Sequence, residues 1–233
     1  MAKILFVMTG ADHWTLADGE QHPTGFWAEE FAAPYRALTE AGHEVTVATP
    51  GGVVPTVDRV SLAPEFNGGP QGAEAVAAVL DGAAALRRPL ALADVHPADY
   101  SAVFYPGGHG PMEDLSGDPR SARVIIETLD SGRPLALVCH GVAALLATEG
   151  PDAVSPLRGY RLTGFTRAEE TLTGFADRAE WLLQDRLVAL GAHFIEAPAW
   201  SSHVVTDRNL LTGQNPGSSA ELAAALLGRL GPA

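Results

Sequence analysis

The single cysteine of the chain lies where a reactive side chain is expected. Residues 134–138 form an apolar run, Cys139 follows it, and Gly141 opens a helix-forming segment. A strand that turns sharply into a helix at a nucleophile holds that side chain at the carboxyl edge of a sheet. The helix amides would lower the pKa of the thiol and donate to an oxyanion. The spacing therefore predicts a cysteine nucleophile, and a small buried hydrophobic cysteine is the alternative.

Two further features near this elbow could take part in catalysis. His140 is the next residue, although adjacent side chains at a turn diverge, so its contact with the sulfur stays open. Gly107 and Gly108 follow a second apolar run, residues 102–105, and their amides could complete an oxyanion hole. A tight loop that needs positive φ is the alternative for these glycines. No Lys-Ser or Lys-Thr follows them, so a nucleotide P-loop is not predicted.

A carboxylate in an apolar helical segment is the next candidate. Within residues 25–35, Glu30 recurs at helical spacing with Trp27 and Pro34, which directs it inward, whereas Glu29 can face water. A carboxyl group among aromatic rings resists ionisation and can donate a proton. A glutamate on the helix surface is the alternative.

The remaining histidines are scattered without the spacing of metal ligands: His13, His22, His43, His96, His109, His193 and His203. Only Asp12, His13 and His22 near Glu30 could converge in the fold. We therefore predict no metal site.

The elements that must position these residues alternate along the chain. Short apolar runs predict buried strands at residues 4–8, 45–48, 102–105 and 135–138. Helical spacing marks residues 26–38, 73–86 and 122–129, and later residues 179–190 and 218–230. Less regular strands are predicted at residues 161–165, 193–196 and 203–206, with a hairpin turn at 206–209 and an irregular loop at 50–70. This order predicts a mostly parallel sheet with helices on both faces.

Composition narrows the class of protein. The 233 residues carry 15 basic and 28 acidic side chains, a formal charge of −13, and no basic cluster. Binding to nucleic acid or to an anionic membrane is therefore not expected. One cysteine excludes an intrachain disulfide. The apolar run at the start is too short for a secretion signal, and no run is long enough to cross a bilayer, so we predict a soluble cytoplasmic protein with a single domain over residues 1–233.

Four segments in this order resemble the ThiJ/PfpI superfamily. They are residues 30–34 (EFAAP), 106–110 (PGGHG), 138–141 (VCHG) and 211–219 (LTGQNPGSS). The resemblance covers nearly the whole chain and is strongest to the glutathione-independent glyoxalase branch, which also contains heat-shock chaperones.

The resemblance implies a flavodoxin-like sandwich that forms a homodimer and uses no cofactor. It implies that Cys139 is the nucleophile, His140 a proton-transfer residue and Glu30 the carboxyl group beside the sulfur. An acidic residue after residues 164–166 would orient the histidine; Glu169 and Glu170 both qualify, and we favour Glu170.

The activity that the resemblance implies is conversion of methylglyoxal or glyoxal, small 2-oxoaldehydes, to the 2-hydroxy acid. Alternatives within the same superfamily are a stress chaperone or redox sensor, a cysteine peptidase and a protein deglycase.

Overall fold

A seven-stranded sheet forms the centre of the protein. The structure is a computed structural model, and it describes residues 1–150 and 155–231. The strand order is β10-β11-β7-β6-β1-β4-β5, and every neighbouring pair is parallel except the antiparallel pair β10–β11 at one edge. Its strands are β1 (Lys3–Val7), β4 (Glu44–Thr49), β5 (Leu90–Ala91), β6 (Ala102–Tyr105), β7 (Leu135–Val138), β10 (Val204–Asp207) and β11 (Leu210–Gly213).

Two small sheets lie outside this one. One is the antiparallel pair β2 (His13–Thr15) and β3 (Gln21–Pro23), and the other is the parallel pair β8 (Arg161–Leu162) and β9 (His193–Phe194).

Helices flank the central sheet in two groups. The α-helices are α1 (Ala28–Glu40), α2 (Pro70–Gly82), α3 (Gly110–Glu113), α4 (Pro119–Asp130), α5 (Arg167–Thr173), α6 (Leu183–Ala189) and α7 (Ser219–Leu230). Helix α1 packs against α2 and α7, whereas α4 and α6 pack against the 3-10 helix Cys139–Thr148. Among the described residues, no helix is long and apolar enough to span a bilayer.

Burial explains why the central strands read as continuous apolar runs. All four residues of β6 and of β7 are buried, as are the last four of β1. Parallel strands covered on both faces lose the apolar–polar alternation of a half-exposed sheet. The predicted fold class, a flavodoxin-like α/β sandwich with a mostly parallel sheet, is confirmed.

Most predicted elements are confirmed within a few residues, and the differences have physical reasons. The predicted strands at 161–165 and 193–196 form the separate small sheet β8–β9 instead of extending the main one. The segment after Cys139 is a 3-10 helix, and nine of its ten residues are buried. Packing on all sides, rather than helix propensity, therefore sets its geometry. Residues 50–70 contain three short 3-10 turns and no strand.

The topology brings three strand ends to one place. Strand β1 lies between β4 and β6, so the chain leaves it in one direction and later returns to its other side. Such a switch point opens a crevice at the carboxyl ends of the strands. In β6 and β7, Tyr105 pairs with Leu137, so the loops that follow both strands leave the sheet at the same edge.

Candidate active site

The turn after β7 holds Cys139 in a left-handed backbone conformation. Its φ is 56°, which is uncommon for any residue other than glycine, and only 3% of the residue is exposed. Gly141 makes the turn possible, because a Cβ there would lie 2.6 Å from the carbonyl oxygen of Tyr105. The strained backbone at the cysteine is the geometry of a nucleophile elbow.

The glycine loop after β6 packs directly on this elbow. A Cβ on Gly107 would lie 2.7 Å from the amide nitrogen of Gly141, and Gly108 has a φ of 92°. The amide of Gly107 donates a hydrogen bond of 2.6 Å to Glu30 Oε2. That amide is therefore bonded to the carboxyl group of Glu30, which differs from its expected use for an oxyanion. Gly108 lines the cavity above Cys139.

Glu30 is fully buried in the first turn of α1 and faces the elbow. Its Oε1 has no conventional hydrogen-bond partner among the described residues, and the Cys139 sulfur is a polar group within its reach. Burial raises the pKa of Glu30 to about 8, against the lowering effect of Cys139 and the Gly107 amide. Glu30 is therefore a protonated acid at neutral pH, as its apolar surroundings predict.

The expected lowering of the Cys139 pKa is wrong. Burial raises the pKa of this thiol well above its usual value, and the charge and hydrogen bonding of Glu30 raise it further. The backbone amide of His140 acts in the opposite direction but is outweighed. Helix-end amides alone therefore do not generate a thiolate here, and a base must remove the proton.

His140 is placed to be that base. Its Nδ1 lies 3.4 Å from the Cys139 sulfur, and its Nε2 lies 2.6 Å from Glu170 Oε2. Burial would raise the pKa of Glu170, but the charges and hydrogen bonds of His140 and His109 hold it well below its usual value. An ionised Glu170 requires the proton on His140 Nε2, which leaves the Nδ1 lone pair directed at the thiol.

Glu169 and Glu170 are adjacent on α5 but have separate partners. Glu169 Oε2 caps the helix by accepting from the amide and the hydroxyl of Thr166. Its Oε1 accepts from the Trp200 amide and from Gln214 and Asn215. Between the two candidates, the structure therefore brings Glu170 to the histidine, whereas Glu169 fastens surrounding loops.

His109 also belongs to this cluster, although sequence reasoning placed it among the scattered histidines. Its Nε2 lies 3.0 Å from Glu170 Oε1, and its ring stacks on Trp14 at 4.5 Å. Burial and the neighbouring His140 lower its pKa. Its position directly after the glycine loop is the sequence signal that could have identified it.

A metal could in principle be held only by this cluster within the described part of the chain. The ligand atoms of His109, His140 and Glu170 lie within 4.8 Å of one another. Hydrogen bonds among the three account for that closeness.

His13 and His22, the histidines that could converge near Glu30 by sequence, make other contacts. His13 bonds to Asp12 at 2.8 Å on β2, and His22 packs on Phe175 at the cavity wall.

A mostly parallel α/β sandwich whose cysteine lies at an elbow after a central strand, in contact with a histidine and beside a buried carboxyl group, defines the class of this protein: a flavodoxin-like protein with a cysteine elbow. The sequence profile of the DJ-1/PfpI family matches residues 23–229. The chain belongs to this family.

Named relatives resemble the chain over nearly its whole length. Glyoxalase 3 of Candida albicans is 29% identical over 229 residues, covering 96% of each chain. The protein/nucleic acid deglycase HchA of Staphylococcus aureus is 30% identical, covering 94% of this chain and 77% of its own. The solved structure of the Francisella tularensis rapid encystment protein (24 kDa) superposes with a TM-score of 0.86 at 26% identity, covering 99% of this chain and 100% of that one.

Proposed function

We propose that this protein is a glutathione-independent glyoxalase that converts methylglyoxal or glyoxal to the 2-hydroxy acid. The observation that carries the proposal is the chain of contacts from Cys139 through His140 to Glu170, with the protonated Glu30 on the other side of the sulfur. The similarity to glyoxalase 3 supports the same reaction.

The first step is activation of the thiol. Because Glu170 is ionised, it accepts a hydrogen bond from the Nε2–H of His140. This contact fixes the tautomer whose Nδ1 takes the proton of Cys139. The raised pKa of the thiol means that a free thiolate does not accumulate at neutral pH. The proton therefore leaves as the sulfur adds to the aldehyde carbon.

The second step stabilises the oxygen of the adduct. Addition turns the aldehyde oxygen into an alkoxide, which needs donors in a site without bulk water. The amides at the elbow and at Gly108 are candidates, because both border the cavity next to the sulfur. Glu30 can supply a proton to this oxygen, since its carboxyl group is still protonated at neutral pH.

The third step moves hydrogen within the adduct. His140 first releases the thiol proton, which restores the proton that Glu30 gave to the adduct oxygen. The neutral His140 then takes the proton from the former aldehyde carbon and returns it to the neighbouring ketone carbon, while the hydroxyl proton of the adduct passes to the ketone oxygen, which produces a thioester of the 2-hydroxy acid. Water then breaks the carbon–sulfur bond and releases the acid and the thiol. The aldehyde carbon is oxidised and the ketone carbon is reduced, so no external electron carrier is needed.

Deglycation is a second candidate, supported by the 30% identity to HchA. A hemithioacetal or aminocarbinol formed from a 2-oxoaldehyde would reach Cys139 through the same opening. It would release the amine or thiol before the same proton transfers.

The test is turnover by the purified protein without glutathione. Methylglyoxal should disappear while lactate accumulates in equal amounts, and Cys139→Ala should form none. The free aldehyde is compared with aldehyde preincubated with N-acetylcysteine or N-acetyllysine. Glyoxalase activity predicts a rate that follows the free aldehyde concentration, whereas deglycation predicts direct release from the preformed adduct. Absence of lactate from the wild-type protein would contradict the proposal.

A further inference from the structure

The cavity above Cys139 is large for the smallest 2-oxoaldehydes. Its volume is about 450 Å³, and Cys139, His140, His109 and Gly108 are among the residues that border it. Cavities of roughly 300–1,000 Å³ suit ligands of drug-like size. Glyoxal or methylglyoxal on the sulfur would leave most of this space to be filled by water.

The walls of the cavity are aromatic. Trp27 and Phe66 meet edge to face at 5.2 Å, and Phe165 and Trp200 do so at 5.6 Å. Phe175 borders the same space. Aromatic rings favour a flat apolar group, which they can contact by offset stacking or edge to face.

The cavity also lacks a partner for an anionic group. Among the described residues, its lining includes no lysine or arginine. His22 and His109 do not supply a positive charge either, because burial lowers the pKa of both. The charged group on the wall is Asp58, which is already held by Thr24 and by the amide of Val60. A phosphate or carboxylate on the substrate would find no lysine or arginine here, so the chemistry fits a neutral molecule.

The opening carries a rim of exposed apolar side chains, namely Val60 (57% exposed), Phe66 (47%), Leu172 (65%) and Trp200 (49%). Exposed apolar groups that cluster around a cavity mark a binding surface. These side chains come from separate segments of the chain, so the fold brings them together and they do not belong to one apolar loop.

Trp200 is held in place before any ligand arrives. Its φ of 66° is strained for a tryptophan, and its amide donates to the buried Glu169 at 2.9 Å. Strain retained at a cavity mouth indicates a side chain whose position is specified, because a relaxed backbone would place the ring elsewhere.

From these observations we infer that the cavity selects 2-oxoaldehydes with an aryl substituent on the ketone carbon. The inference rests on the proposed glyoxalase function and deepens it. The aldehyde group would lie on Cys139, and the aryl group would lie between the aromatic walls below the rim. With phenylglyoxal as the probe, addition of one water gives mandelate: the aldehyde carbon becomes the carboxylate and the ketone carbon becomes the alcohol.

The experiment compares kcat/KM for phenylglyoxal and methylglyoxal in the same buffer without glutathione. We expect phenylglyoxal to be preferred by at least about tenfold, since one aromatic contact pair accounts for roughly that factor. Trp200→Ala and Phe66→Ala should each lower the phenylglyoxal value by about tenfold, while methylglyoxal stays within about twofold. Val188→Ala is the matched control, because Val188 is an exposed apolar residue of α6 that does not border the cavity.

The outcomes separate this inference from the proposed function. If methylglyoxal is converted but phenylglyoxal is no better, or if both rim variants leave the ratio unchanged, aryl selection is wrong and the glyoxalase function stands. If neither aldehyde is converted, the proposed function fails and the inference fails with it. Two rim variants from different segments guard against one that folds poorly, and thermal melting against the Val188→Ala control identifies such a variant.

Discussion

The floor and the rim of the cavity differ in burial, in polarity and in the elements that form them. The floor is formed by Cys139 and His140, which follow a central strand, together with Glu30 and Glu170, which lie behind them on α1 and α5. All four residues are buried, and short contacts connect the sulfur, His140 and Glu170. The rim, formed by Val60, Phe66, Leu172 and Trp200, is apolar and exposed on loops and short helices. Under the proposed function, this difference separates two tasks: the buried groups hold the reacting atoms, while the surrounding segments determine which molecule reaches them.

The largest expected effect is loss of the nucleophile from the floor. Cys139→Ala should lower aldehyde turnover by at least about 10³-fold, because no other group can form the covalent adduct. The melting temperature should change by only a few degrees, since roughly 2–4 °C corresponds to 1 kcal/mol in a protein of this size. Lactate formation and thermal melting are measured on the same preparation. A variant that keeps more than a tenth of the activity would remove Cys139 from the mechanism.

The adjacent glutamates of α5 provide a matched pair that divides catalysis from loop anchoring. Glu170→Gln should lower kcat by about 10² to 10⁴, because a neutral amide no longer requires the proton on His140 Nε2. Glu169→Gln should lower kcat less but destabilise the fold by about 1–3 kcal/mol, because its new NH2 group must face donors from Thr166 or Trp200. Steady-state kinetics and urea unfolding of both variants test the pair. The reverse order of kcat losses would assign the catalytic carboxylate to Glu169.

Glu30→Gln tests the acid side of the floor through pH. With a pKa of about 8, Glu30 in the wild-type protein loses its proton above that pH and adds a negative charge beside the sulfur. Wild-type kcat/KM should therefore fall above about pH 8, and the variant, about 10²-fold slower at neutral pH, should lack that fall. The Cys139 pKa should also be lower in the variant, because the charge of Glu30 contributes to raising it. Alkylation rate against pH measures this shift, and identical curves for both proteins would contradict it.

The same substitution has a stability signature whose sign follows from proton binding. The folded Glu30 has a higher pKa than its ordinary value of 4.5, so between about pH 4.5 and 8 the folded state binds more protons than the unfolded state. This group's contribution to wild-type stability is therefore present at low pH and is lost as the pH rises to about 8. Glu30→Gln should lose less melting temperature than the wild type over this range, and parallel curves would show that Glu30 is ionised throughout.

Sequence was sufficient where local chemistry dictates structure, and insufficient where distant segments meet. The buried strands and the elbow at Cys139 could be predicted, because their residue types have few other uses. The neighbours of Glu170 could not, because His109 lies 61 residues away and reaches it only through the fold. The raised Cys139 pKa was also missed, since helix amides are visible in sequence but the burial and the Glu30 carboxyl that outweigh them are not.

The smallest expected effect concerns His109. This residue contacts both regions, because it borders the cavity and its Nε2 bonds to Oε1 of Glu170. His109→Leu removes one hydrogen bond to the ionised Glu170, so the pKa of that carboxyl should rise. His140 remains, and Glu170 should stay ionised at neutral pH, so kcat there should fall by only about tenfold.

The loss of kcat should grow at acidic pH, because Glu170 with a raised pKa takes up a proton there more readily. The acidic limb of the kcat profile should therefore move to higher pH. His109→Gln is the matched control: its amide can still donate to Oε1, so it should recover most of the activity. A purely structural role would instead lower the yield of folded protein without moving the acidic limb. Equal profiles for the leucine variant and the wild type would show that the contact with His109 is not needed to position Glu170.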